Sequence, residues 1–149
     1  MKVAETVDRR AGALALGLIR TGFFLPLLVC TYLALIPDTP DNAVFRLGDV
    51  LLHAAAFTYL TFALCLMLIA DSREAFPAPA VRVFLLMLGY GIFLEVAQGF
   101  IPERSAELKD LVVDTFGIVL GLMLAALLAR PAVRLVRFLT IRAVTLLDR

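Results

Sequence analysis

The chain has 149 residues, of which 62% are hydrophobic and 18% charged, and its mean hydropathy is +0.95. A soluble globule is about half apolar, so this composition excludes one, and the length leaves room for one domain without an appended soluble catalytic domain. Formal net charge is +1; the total points to no nucleic-acid partner, and only the placement of the charges informs.

Met1 to Ala13 is short and polar and carries Lys2, Arg9 and Arg10; an apolar run over 14–36 follows, broken once by Arg20. The run exceeds a signal-peptide core and no small-x-small cleavage site closes it, so it reads as an uncleaved first span, with Arg20 snorkelling toward the basic end and Pro26 as a point of kinking. Two prolines and three Asx residues between Pro37 and Asn42 make a loop. The second run, 50–70, has His53 near its start; after a connection containing Arg73, Glu74, Pro77 and Pro79 come the third run, 83–101, and the fourth, 111–129. At about 1.5 Å per helical residue, each is long enough to cross a hydrocarbon core of roughly 30 Å. The expected fold is all-α, an integral membrane four-helix bundle. Cys30 and Cys65 both lie in apolar runs, away from any CxxC pair, and read as inert free thiols.

Residues 130–149 are neither apolar enough to span nor polar enough to stay unfolded. Drawn as a helix, they place Arg130, Arg134 and Arg137 on one side and Leu135, Val136, Leu139, Ala143 and Leu146 over most of the other. That pattern predicts an amphipathic interfacial helix whose basic face suits anionic lipid head groups; packing on a partner protein is the alternative. Eleven of the 14 Lys and Arg residues fall in the N-terminal part, the second connection with its flank and the tail, leaving Arg46, Arg104 and Lys109 for the other side. This asymmetry predicts both termini in the cytoplasm and the first and third connections outside.

The polar residues that interrupt the apolar runs cluster by that outer side. Asp49 with His53 and Asp110 with Asp114 are spaced i, i+4, and Glu95 with Gln98 i, i+3, so each pair shares a helix face. Antiparallel threading brings the three faces to one depth. They continue inward as Ala56 and Ala63, as Gly91, and as Gly117 and Gly121, small residues that let helices approach, and these are expected to face one another. Carboxylates are costly in lipid without partners, which marks Glu95 and Asp114 as candidates for function. Three chemistries are open: acid and base work with His53 as proton carrier, a divalent cation on His53, Glu95 and Asp110 or Asp114, and recognition of a polar head group with Arg104 gripping a phosphate or carboxylate. Each element also has a plain structural reading: a hydrogen-bonded histidine, a packing GxxxG, a solvated arginine. No GxSxG, HExxH, CxxC or Walker pattern occurs, and the sequence leaves the cofactor and the metal open.

The segments GDVLLH and LEVAQGFIPERSAELKDLVVDTFGIVLG resemble the VanZ-like membrane proteins, matching that family's pattern at Asp49, His53, Glu95, Gln98, Pro102, Arg104, Ser105, Asp110, Gly117 and Gly121. Val50, Phe57 and Asp114 stand where the family often has Lys, Tyr and Asn. The resemblance implies a multi-pass protein of the bacterial inner membrane, in a family named for a member linked to resistance to the glycopeptide teicoplanin. On this reading His53, Glu95 and Asp110 are the candidate catalytic residues, and Asp49, Gln98, Arg104, Ser105 and Asp114 contact a substrate. The partners expected are membrane lipids and lipid-linked envelope precursors. Two classes of function remain: an envelope enzyme or head-group-binding protein, and an accessory protein whose polar cluster fixes helix packing while its tail recruits a partner. A transporter would require a homo-oligomer, since four helices seldom enclose a path.

Overall fold

The computed structural model describes residues 2–36, 43–72, 79–102 and 108–147, and it forms four helices: α1 (Lys2–Ala34), α2 (Ala43–Ser72), α3 (Ala80–Gln98) and α4 (Leu108–Leu147). All four are long and apolar enough to cross a membrane. The protein is therefore a multi-pass membrane protein, as the apolar runs predict. Leu28, Leu85, Val112 and Leu127 stay largely exposed, which would be unfavourable in water and is what a lipid-facing periphery requires. The buried core is smaller and centred on Phe57, Leu60, Cys65, Val83, Met87, Leu94, Ile118 and Ala125. Asn42 and the rest of the first loop lie outside the described residues.

The helices overrun the apolar segments read from sequence. A span of roughly 30 Å takes about 20 residues, whereas α1 has 33 and runs unbroken through Pro26, and α2 begins at Ala43. α3 stops at Gln98, short of the expected Ile101, because Phe100 N–H donates to Ala97 O and Ile101 N–H to Gln98 O, tightening the last turn before Pro102. Arg20 donates to Asp71 at the end of α2 over 2.9 Å, so its charge is met by a carboxylate at the end of the bundle that carries the termini.

α2 and α4 run parallel and in the closest contact of the fold. A Cβ on Gly117 would lie 2.7 Å from Ala54 O, and one on Gly121 2.6 Å from Thr58 O, closer than real Cβ atoms come. The glycines thus seat α4 directly on the backbone of α2. The expected α2 face, Ala56 and Ala63, is not the one they meet; Ala54, Phe57, Thr58 and Thr61 are. With glycine on one side the partner helix needs no small residues, since its backbone carbonyls are the contact.

The tail is the continuation of α4, with no break at Arg130. In the register of Thr58 beside Gly121, a straight α4 would pass the last residue of α2, Ser72, near Leu135. Yet Val136, Leu139 and Ala143 share a groove with Tyr59 and Leu66. α4 therefore bends, and Pro131, which lacks an N–H and clashes with the preceding turn, is the residue in position to bend it. Beyond the bend Thr140 and Val144 are buried while Leu135, Leu139 and Leu146 stay exposed, so the bundle takes up only part of the tail's apolar side.

Candidate functional site

The end of the bundle opposite the termini carries the polar cluster. His53, in the second turn of the apolar part of α2, reaches across to α4, where its Nδ1 lies 3.1 Å from Asp114 Oδ1. The aspartate side chain is 1% exposed and the imidazole 11%. With Asp114 ionised, Nδ1–H donates to the carboxylate, which sets the tautomer and leaves the acceptor lone pair on Nε2. A buried acid that orients a more exposed imidazole is an arrangement suited to proton transfer or to holding a polar group.

The other carboxylate oxygen of Asp114, Oδ2, is fully buried and has no hydrogen-bond partner among the described residues. It lies against α3 at Gly91, where a Cβ would come within 3.1 Å of it. Gly91 thus makes the space in which the carboxylate sits. Buried polar atoms are nearly always satisfied, so Oδ2 marks a place for a water or a ligand group.

The remaining candidates are distributed around this pair. Glu95 is buried on the face of α3 that also carries Gly91, Leu94 and Gln98, one turn or about 6 Å further than Gly91 toward the end opposite the termini. Asp110 is partly buried in the first turn of α4, one turn from Asp114, where the helix N-terminus favours an acid. Gln98 has a different occupation: its Nε2 donates to Ala34 O over 2.9 Å and closes the end of α1. Asp49 lies in α2, but its side chain is outside the described residues, as are Arg104 and Ser105 altogether. Among the described residues no three His, Cys, Asp or Glu side chains group closely enough to hold a metal ion, so the trio of His53, Glu95 and Asp110 or Asp114 is not assembled as a ligand set.

Sequence reasoning passed over Tyr90 and Thr31. Thr31 Oγ1 donates to Leu27 O, so the Tyr90 hydroxyl, 2.8 Å away, donates to Thr31 and ties α3 to α1. The Tyr90 ring lies against Phe57, with centroids 5.7 Å apart, and Phe57 in turn packs on Gly91 and Gly117. One aromatic pair therefore closes the inner side of the His53–Asp114 site. The only hint in the sequence was a tyrosine directly preceding Gly91.

A model of the VanZ/LLP1 family matches residues 13–129, which include all four spans and the whole site. The chain belongs to the VanZ/LLP1 family. The match ends at Ala129, so the bent tail lies outside it. No curated protein and no solved structure matches the chain. Within the VanZ/LLP1 segment, the site rests on three helices: α2 supplies His53, α4 supplies Asp114 and Asp110, and α3 supplies Glu95 and the gap at Gly91.

Proposed function

We propose that this VanZ/LLP1 protein sits in the bacterial inner membrane with both termini cytoplasmic, and that its site engages the polar head group of lipids or lipid-linked envelope precursors from the outer leaflet. The observation that carries the reading is the His53–Asp114 pair: a buried carboxylate spends one oxygen on orienting an imidazole and keeps the other without a partner among the described residues. In this reading His53 Nε2 accepts a proton or hydrogen bond from the head group, and Glu95 and Asp110 complete the polar wall. Arg104 and Ser105, in the adjoining connection, supply contacts to phosphate or carboxylate oxygens. The family link to teicoplanin resistance fits a protein that acts on envelope molecules at this surface.

The test is binding of a labelled lipid-linked envelope precursor to the purified chain, with His53→Gln and Glu95→Gln alongside. Loss of binding by folded variants is expected. A second reading is that the cluster is structural and the protein an accessory one, because the pair joins the same two helices that Gly117 and Gly121 bring together. Under that reading stability falls with the substitutions, and the wild type binds no precursor.

A further inference from the structure

From the middle of α2 toward the end that carries the termini, α1, α2 and the bent tail enclose an open groove of about 450 Å³, within the range of small-molecule sites. Its walls are Leu18 and Gly22 of α1 and Tyr59 and Phe62 of α2, and its tail side is Val136 and Leu139, joined by Thr140 and Ala143. Both hydroxyls on this surface are already spent on backbone carbonyls. Tyr59 Oη donates to Gly22 O over 2.7 Å, and Thr140 Oγ1 donates to Arg137 O over 2.9 Å. What the groove presents is therefore carbon, in a shape that an alkyl chain fills.

The charge beside it selects the kind of chain. Residues 115–147 contain no acid, while the tail carries Arg130, Arg134, Arg137 and Arg142. Arg137 lines the adjoining cavity, which shares Ile19 with the groove and also holds Asp71, itself paired with Arg20, and Arg142 is the neighbour in sequence of the groove residue Ala143. The Arg142 guanidinium stands over the Phe138 ring, 4.6 Å from its centroid, which keeps it on the tail surface. Neither Arg137 nor Arg142 has an ion pair among the described residues.

We propose that this groove binds one acyl chain of an anionic phospholipid, with the lipid phosphate held by Arg137 and Arg142 of the tail. The groove shares no lining residue with the His53–Asp114 cluster and does not depend on the function read there. It is formed only because α4 bends, and the bent segment lies beyond the family match. The inference therefore concerns this chain and not its family at large.

The chain has no tryptophan, so Leu139→Trp places a single reporter at the groove, on a side chain already 54% exposed. The protein is reconstituted in vesicles in which either phosphatidylglycerol or phosphatidylcholine is brominated on its acyl chains. Quenching should saturate at a low fraction of brominated phosphatidylglycerol and require several-fold more of the phosphatidylcholine, about five-fold for each cation engaged. Gly22→Leu puts a side chain into the groove where a Cβ has room, with Tyr59 Oη 3.8 Å away, and Ala143→Phe does so from the tail. Either change should abolish the saturable quenching with helicity retained, and Arg137→Gln with Arg142→Gln should erase the preference for phosphatidylglycerol. Equal, non-saturating quenching by both lipids means ordinary surrounding lipid and overturns the proposal. So does saturable quenching that survives both filling variants, and so does emission that follows protein density and ignores brominated lipid, which would place a second copy in the groove.

Discussion

His53 and Asp114, 61 residues apart in sequence, are joined by a 3.1 Å contact between Nδ1 and Oδ1 that links α2 to α4 near the end of the bundle opposite the termini. Because the aspartate is almost fully buried, removing either partner strands a polar group. Asp114→Ala should cost about 1–3 kcal/mol of stability, read from chemical unfolding in detergent micelles, and should abolish head-group binding with it. Asp114→Asn preserves an oxygen that accepts from Nδ1 and should lose much less stability while still losing binding that depends on the carboxylate charge. Equal losses of stability for the two variants would show that the pair depends on the carboxylate charge and not on an accepting oxygen alone, and binding retained by Asp114→Asn would show that the charge is irrelevant to the ligand.

The glycines inside the helices divide into those that pack and those that do not. Gly117→Ala and Gly121→Ala each force a Cβ against α2 backbone and should destabilise by about 1–3 kcal/mol. Gly89→Ala in α3 meets nothing within 4 Å and should be stabilising by roughly 0.5–1 kcal/mol, the helix preference of alanine over glycine. Thermal unfolding of the three variants side by side checks the contrast, and a destabilised Gly89→Ala would contradict the packing described.

Gln98 serves the fold through its bond to Ala34 O. Gln98→Ala should lose about 1 kcal/mol from that bond, while affinity for a precursor head group stays within two-fold or so of wild type at a temperature where both are folded, since the other polar residues carry the site. A large drop in affinity without a stability change would move Gln98 from the frame to the ligand.

The uneven placement of Lys and Arg predicts which end faces the cytoplasm. Single cysteines at Asn42, Ser72 and Ser105, in a background with Cys30→Ala and Cys65→Ala, are exposed in intact cells to an impermeant thiol reagent. Asn42 and Ser105 should label and Ser72 should not. The reverse pattern inverts the orientation and moves the His53–Asp114 site to the cytoplasmic face.

The four spans were legible in the sequence because crossing a bilayer is a matter of length and apolarity, which a single chain displays residue by residue. The candidate polar residues were legible for the same reason: a carboxylate or a histidine stands out in an apolar run. Spacing of i, i+4 shows only which residues share a face of their own helix, so it paired Asp110 with Asp114. That Asp114 meets His53 depends on the register of α4 against α2, which is set by Gly117 and Gly121 resting on the carbonyls of Ala54 and Thr58. The tail shows the same division. Its amphipathic pattern announced a surface that needs an apolar partner, and lipid was the expected one. Only the bend at Pro131 decided that part of that partner is α1 and α2, because a helix turned back on its own bundle buries Thr140 and Val144 where a straight one would leave them to the membrane.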